Sequence, residues 1–449
     1  MSDPLLYYLC LLAWVAIGVL AFFKACSRGS AGVGLGLAFV INMAVLHFFG
    51  AAVSALPWYR PLGGWWLIET GFAVSTLGFV AFAVGCYWVA PWFTPGVATG
   101  GMEFLPMTPP TPVRTRRVYL LTGVGCYVAM LTGAGRIPSA TAILATGFYF
   151  VLVAICLAMW DASVCGDRRR FFWLLASTAL LPLFTVVTSG FLGFGLGYAI
   201  VVSSFFAVLY GRRRWRMLLV AVPLGFFALS VFVTYMRDRT EIRKMVWGGY
   251  SYEDRLKTLA TTAQTLEWFD PVKPTHLLSI DLRLNQNFLV GSAVSHLGYT
   301  KNYAYGDTLW MSVLALVPRA VWPTKPVVAG SMGLVDTYAG IPVPDGTSIG
   351  MGLIFEFFIN FGRVGVAVGM LVVGVLVGVA DRKAGNGLRT GVPTEFAKWF
   401  VIGIVLQNVG GSLVEIAPGL IAAVLLATVA QKFIGASAPD VAGEPVVGR

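Results

Sequence analysis

Along this chain, apolar runs of membrane-crossing length alternate with short loops as far as Tyr235. They give way to roughly a hundred residues of mixed polar, charged and aromatic character, and then resume. The pattern predicts spanning helices over Leu5 to Phe23, Val33 to Phe49, Trp65 to Val89, Ala142 to Trp160, Phe171 to Val187, Leu192 to Tyr210, Met217 to Tyr235, Val364 to Ala380, Phe396 to Leu413 and Leu420 to Phe433. With the shorter candidate Val118 to Leu131, the length rule predicts about eleven crossings. The expected fold is an all-α polytopic integral membrane protein with one large extracytoplasmic insert. Its divisions are an N-terminal bundle (1–236), the insert with short helices (237–347), C-terminal transmembrane helices (348–436) and a cytoplasmic tail (437–449).

Composition agrees with a bilayer as the solvent: 449 residues, 57% apolar and 12% charged, exceed what a soluble core hides. The net charge of +11 invites a nucleic-acid partner, but its distribution argues against one. Lys24 and Arg28, Arg114 to Arg117, Arg168 to Arg170, Arg212 to Arg216, and Arg382, Lys383 and Arg389 fall in alternate loops, as cytoplasmic segments do. That assignment places the amino terminus outside, the carboxyl terminus inside, and the stretch Arg237 to Asp345 outside, where 11 basic and 10 acidic residues nearly cancel. The first apolar run lacks a preceding basic region and a small-residue cleavage site, and reads as a retained anchor. All six cysteines precede residue 170, so the insert must hold its shape without disulfides, by lying against the helices.

The Pro/Gly/Thr-rich stretch Pro91 to Pro112 reads as a cytoplasmic linker, and no internal repeat of the kind that marks secondary transporters is evident. Ionisable and amide side chains inside the spans carry more, because lipid burial of such groups is costly. His47, Glu69, Glu356, Asn360 and Glu415 all project to the outer half, with Arg60 and Arg136 in outer loops. This one-sided placement predicts a polar pocket open to the outside. The plainer reading is that His47, Glu69 and Glu415 snorkel to water from helix ends.

The insert opens on a mixed-charge amphipathic stretch, Arg237 to Lys257, and continues through a loop, Trp268 to His276, into Leu278 to Val294. There Leu282, Phe288, Leu289 and Ala293 predict one helix carrying Asp281, Arg283 and Asn285. An aromatic stretch, Tyr299 to Trp310, and a short apolar helix lead to the turn Pro318-Arg319-Ala-Val-Trp322-Pro323-Thr-Lys325-Pro326, stiffened by its prolines. Together with Arg283-Leu-Asn285 and the later run Gly352-Leu-Ile-Phe-Glu356-Phe-Phe-Ile-Asn360-Phe361-Gly362, these segments resemble the bacterial oligosaccharide repeat-unit polymerases, the Wzy-like family of O-antigen, capsule and exopolysaccharide synthesis. The specific likeness is confined to about residues 281 to 365, and the plan of helices with a late outer loop extends it to the whole chain. One feature departs from it. Relatives often carry a basic residue in the Gly-rich turn that here reads Ser189-Gly-Phe-Leu-Gly-Phe-Gly-Leu-Gly197 and has none.

The resemblance implies a glycosyltransferase of the O-antigen polymerase and ligase (GT-C-like) architecture in a bacterial cytoplasmic (inner) membrane. Its donor and acceptor would be undecaprenyl-pyrophosphate-linked glycans, with a chain-length-determining co-polymerase as a further candidate partner. The growing glycan would pass as a block to the non-reducing hydroxyl of a new repeat unit. Cations are then needed for the departing pyrophosphate, and arginine suits the task by its charge and its forked donors. Arg283, Arg319 and Lys325 are the foremost candidates. Arg237 and Arg239 are weaker because Asp238 and Glu241 can pair with them locally on one helix, and Asn285 and Trp322 complete the expected substrate contacts. For the base, His296 competes with Glu356, whose phenylalanine neighbours would desolvate it. Each has a plain alternative, His276 and His296 as loop residues and Glu356 as a structural partner. No cofactor is expected and no metal required, since arginines can neutralise the leaving group and the outer loops show no Asp-x-Asp pair. The rival readings are an O-antigen ligase-type transferase with the same donor, a lipid-linked oligosaccharide flippase or other transporter, and a structural or sensory membrane protein.

Overall fold

The structure, a computed structural model, describes residues 4–27, 30–96, 111–132, 140–211, 214–317, 321–322, 324–325, 331–344 and 349–435, and among these the regular elements are all helical. In chain order the helices are α1 (Pro4–Ala25), α2 (Leu35–Met43), α3 (Phe49–Ser54), α4 (Trp65–Val84), α5 (Val113–Leu131), α6 (Ala140–Val164), α7 (Arg168–Ser177), α8 (Leu180–Ser189) and α9 (Leu192–Leu209). There follow α10 (Arg214–Trp247), α11 (Tyr252–Gln264), α12 (Pro274–Arg283), α13 (Asn287–Thr300), α14 (Asp307–Ala315), α15 (Ser331–Ala339), α16 (Leu353–Arg389), α17 (Pro393–Val405) and α18 (Leu413–Gly435).

Among the described residues nine helical stretches are long and apolar enough to cross a membrane: α1, α2 with α3, α4 with its continuation to Phe93, α6, α7 with α8, α9, α10, α16 and α18. This is a polytopic membrane protein. Of the expected spans, two fall short. α17 has only 13 residues, and α5 opens on Arg114, Arg116 and Arg117. Both still belong to the bundle. α5 lies antiparallel along α6, with Gly123 on the backbone at Phe150 and Val151, Gly147 on Cys126, and Tyr119 stacked on Phe150 at 5.4 Å.

The predicted cytoplasmic loops gather at one end of the bundle, here called the basic end. Lys24 Nζ donates to the Tyr87 carbonyl, Arg382 to Thr94, and Arg389 to the Ser30 and Ala31 carbonyls. Two aspartates, Asp161 buried and Asp381 partly so, organise this end. Asp381 accepts the Val33 and Leu35 N–H groups at 2.8 and 2.9 Å, capping α2 from the far end of the sequence, and Asp161 takes the Thr111 N–H and the Arg116 guanidinium. Both carboxylates thereby serve helix ends that would otherwise leave donors unsatisfied.

At the opposite end the insert penetrates the bundle. The single helix expected over Leu278 to Val294 is broken: α12 stops at Arg283 and α13 starts at Asn287. Between them the backbone turns inside the protein with its polar groups paired. Gly50 N–H bonds the Leu284 carbonyl at 3.1 Å, and Gln286 N–H the Leu46 carbonyl at 2.9 Å. Leu46 lies in a π-helical turn, Ala44–Phe48, between α2 and α3, whose widened ladder leaves that carbonyl available. The tip of this re-entrant hairpin reaches the depth of His47 and Gly71, about 10 Å inside the helix ends. α13 then climbs along α4 with Gly291 against the Leu67 carbonyl and Gly71 against the Asn287 carbonyl, a backbone approach that only glycine permits on both sides.

A second break lies in α16, where Phe361 and Gly362 leave helical geometry. Phe357 touches Gly365 and Gly369, so residues 353–360 fold back on the segment that follows, whereas in a straight helix residues twelve apart stand about 18 Å from one another. Its start is tied to the loop between α17 and α18 by Gly352 N–H to the Gly410 carbonyl and Leu353 N–H to the Val409 carbonyl, both 3.1 Å.

Candidate functional site

α10 has 34 residues, about 51 Å of helix against a hydrocarbon core of about 30 Å, so one end must leave the membrane. Its apolar part ends at Tyr235, and the turns beyond carry Arg239 and Arg243, four residues apart on one face. Arg283, in the last turn of α12, lies within reach of their charge. Arg239 feels the charges of both Arg283 and Arg243, and the Arg283 guanidinium is pushed below its ordinary value by partial burial and then by the Arg243 charge. Among the described residues no carboxylate forms an ion pair with any of the three.

Arg243 is also the best-held of the three. Its Nε donates to the Gly190 carbonyl at 3.3 Å, and its guanidinium stands over the Phe191 ring at 4.4 Å and the Trp247 ring at 5.2 Å. Gly190 and Phe191 belong to the Gly-rich turn that carries no basic residue of its own, so α10 brings one to it across space. Arg255 adds a second cation there through the Val187 carbonyl at 3.3 Å. Both side chains serve the open carbonyls at the end of α8.

Below the arginines α10 is nearly bare. Residues 219–228 are all exposed, so every face of the helix is open to lipid over almost three turns, and at its basic end Trp215 meets Phe23 at 5.0 Å. An apolar, lipid-facing surface of α10 therefore leads up to the arginines.

A family model described as a domain of unknown function, DUF8712, matches residues 114–391. The chain belongs to that family. No curated protein and no solved structure matches it. The DUF8712 stretch runs from α5 to just beyond α16 and holds every candidate catalytic and substrate-binding residue named from the sequence, though not His47, Arg60, Glu69 or Glu415 of the expected polar pocket.

Those candidates separate on inspection. Arg319 lies outside the described residues, as does Arg136. Arg237 is fully engaged: it pairs with Asp238 and Glu267 at 2.7 Å each and donates to Thr265, which pins the loop after α11 to α10. Asn285 is buried with its amide on Asp281 and its oxygen accepting from Asn287, so it builds the hairpin tip and does not face an open site. Trp322 and Lys325 make local contacts, to Thr324 and to the Val317 carbonyl. His296 sits on α13 beside Gly340, about 14 Å along the helix from Asn287 and so well away from the arginines. His276 is no loose loop residue, since it is buried and bonds Glu267 and the Asp270 N–H.

The expected open pocket of His47, Glu69, Glu356, Asn360 and Glu415 does not form as one. His47, 1% exposed, bonds Asn287 at 2.9 Å, and Glu69 is likewise buried. Asn360 holds Gly306 N–H and Thr308, and Glu415 takes Ser331 and the Ser412 N–H. Glu356 is fully buried and accepts the Leu413 N–H at 2.6 Å, capping α18. Most of these contacts join different segments and so seat the insert on the bundle, while the second Glu356 oxygen, Oε1, lies buried without a hydrogen-bond partner among the described residues. Among the described residues no three His, Cys, Asp or Glu side chains gather as metal ligands. Arg239 and Arg243 are what the sequence reading underrated. Their spacing just past the apolar limit of α10, with Glu241 turned to another face, was the available signal.

Proposed function

We propose that this protein is a glycosyltransferase that polymerises lipid-linked oligosaccharides, with Arg239, Arg243 and Arg283 as the clamp for the donor's pyrophosphate. The observation that supports the reading is that three arginines, none ion-paired to a carboxylate among the described residues, stand within reach of one another's charge at the outer limit of a spanning helix. Like charges held together without a counterion are costly, and a multivalent anion relieves that cost. Arg239 stands about 6 Å beyond Tyr235 along α10, which is headgroup depth, and the bare face of α10 beneath it offers a polyprenyl tail its place among lipids.

In the transfer the acceptor hydroxyl oxygen bonds to the anomeric carbon while the carbon–oxygen bond to pyrophosphate breaks. The electron pair goes to the leaving phosphate oxygen, and the arginines stabilise the charge that collects there. The hydroxyl proton passes to the departing pyrophosphate or to water, and not to Glu356, which is sealed, or to His296, which stands away from the clamp. The basic loops gathered at the opposite end support an orientation with the clamp on the extracytoplasmic side. A ligase-type transferase would use the same donor clamp, and product length separates the two.

The test is purified protein in lipid nanodiscs given a polyprenyl-pyrophosphate repeat unit, with product length read by gel. A ladder is expected, abolished in Arg283→Ala and Arg243→Ala variants that still fold. Full-length product from both variants would sink the clamp, and single transfer to a non-repeat acceptor would favour the ligase.

A further inference from the structure

α16 crosses the bundle between two polar limits. About 27 Å of helix separates Asp381, which caps α2 at the basic end, from Arg363, which follows the Phe361–Gly362 break. That is close to the thickness of a hydrocarbon core, so Arg363 stands at headgroup depth on the side of the clamp. It is exposed, and among the described residues it forms no ion pair. Val364, Val368, Val372 and Leu376, one turn apart below it, are exposed as well. A cation above a bare apolar stripe repeats on α16 the arrangement that α10 presents beneath its arginines.

Beside Arg363 the fold displays aromatic rings to solvent. The break leaves Phe361 49% exposed, and the loop from α13 to α14 is pinned against it. Ala304 N–H bonds the Ile359 carbonyl at 2.8 Å, Gly306 N–H bonds Asn360 Oδ1 at 2.9 Å, and the Tyr303 ring lies against Gly362. The same loop holds two non-glycine residues in the left-handed region, Lys301 at φ 57° and Tyr305 at φ 44°. A bulky residue at positive φ is a strained outlier. Tyr305 gains no burial in return, since its ring is 71% exposed and stands 6.1 Å from that of Tyr303. Strain that displays an aromatic face, with no packing to offset it, points to a ligand that uses the face. Lys301, exposed and in no ion pair among the described residues, adds a second cation, while the acid that follows, Asp307, opens α14 and lies near Tyr338.

Sugar rings stack their C–H faces on aromatic rings, and phosphate oxygens take the forked donors of an arginine. We propose that Tyr305, Phe361, Lys301 and Arg363 seat the second, accepting lipid-linked saccharide, with its pyrophosphate at the cations, its first sugars on the rings and its tail along the apolar stripe. The seat has this role only if the protein is the proposed glycosyltransferase, and it gives that enzyme's acceptor a place. α13, about 21 Å long, separates the seat from the Arg283 end of the insert. A saccharide of several rings spans such a gap, so an acceptor held here by its phosphate presents its far hydroxyl at the clamp. An aromatic belt at a membrane surface has no such preference for pyrophosphate over other headgroups.

Native mass spectrometry of the purified full chain, titrated with undecaprenyl pyrophosphate, tests this. The unaltered protein should hold two molecules, and phosphatidylglycerol at equal concentration should leave both in place. Arg283→Ala and Arg363→Gln should each weaken one of them about ten-fold or more, and the double variant should hold neither. Undecaprenyl pyrophosphate bearing a repeat unit should bind the second site more tightly, and Tyr305→Ala should remove that gain of about two- to ten-fold. Tyr305→Gly should lose the gain too while its unfolding midpoint holds or rises, because glycine relieves the backbone. The seat is overturned by a single molecule lost in Arg283→Ala and untouched by Arg363→Gln, by phosphatidylglycerol displacing the second molecule, by a saccharide gain that Tyr305→Ala retains, or by a lower midpoint in Tyr305→Gly. Binding weakened by Arg363→Gln but unchanged in Arg283→Ala refutes the clamp and upholds the seat.

Discussion

Removing Arg283 should have opposite signs in the empty and the loaded protein. In the empty protein its guanidinium makes no hydrogen bond or ion pair among the described residues and faces the charge of Arg243. Arg283→Ala relieves a repulsion of about 0.5 kcal/mol, the scale of an exposed charge pair, so the unfolding midpoint should hold or rise slightly. In the loaded protein the same change removes a charge-assisted contact to phosphate worth about 1.5–3 kcal/mol, which is roughly 10- to 150-fold in affinity. Scanning fluorimetry in detergent, paired with calorimetric titration of inorganic pyrophosphate, reads both quantities on one sample. Arg237→Ala is the internal contrast. With partners on Asp238, Glu267 and Thr265, it should lower the midpoint and leave pyrophosphate affinity within about two-fold. If Arg283→Ala behaves as Arg237→Ala is expected to, the arginine cluster is architecture and the clamp is refuted.

Two further outcomes follow from the packing and electrostatics of the insert. Gly291→Val drives a side chain into the Leu67 carbonyl, so α13 must part from α4 at a cost of about 3 kcal/mol, measurable as a lower midpoint with faster deuterium uptake in residues 287–300. The Glu267 carboxyl is pulled down to about 2 by Lys273, Arg237 and His276. Because the folded value lies below the unfolded one, its contribution is complete above the ordinary carboxylate range and is lost as pH falls toward 2. Limited acid proteolysis should therefore open the loop between α11 and α12 over that interval, and Glu267→Gln should already be open at neutral pH. A loop equally protected in both would contradict the assignment.

Membrane class, the placement of most spans and the grouping of basic loops were legible in the chain because each follows from local composition: a bilayer demands about 20 apolar residues whatever the rest of the protein does. Arg283 was named there as a phosphate candidate on the strength of the resemblance and of arginine's forked donors. The breaks at Leu284 to Gln286 and at Phe361 and Gly362 were not legible. Nothing in the apolar spacing of Leu278 to Val294 interrupts a helix, and the interruption is stable because, more than two hundred residues earlier, the Gly50 N–H donates to its Leu284 carbonyl and the Leu46 carbonyl accepts its Gln286 N–H. The same holds for Glu356 and His47. Read singly, each was a candidate for an open pocket, and each is buried because Leu413 or Asn287 stands opposite.

The chain by itself determined how many of its residues must live in lipid and which loops carry the charge, since those are sums over neighbours in sequence. Tertiary structure alone decided which arginines meet, which are neutralised, and which polar groups are used up in seating the insert. Those outcomes depend on partners distant along the chain, and pairing energy inside a low-dielectric bundle depends on that proximity in space.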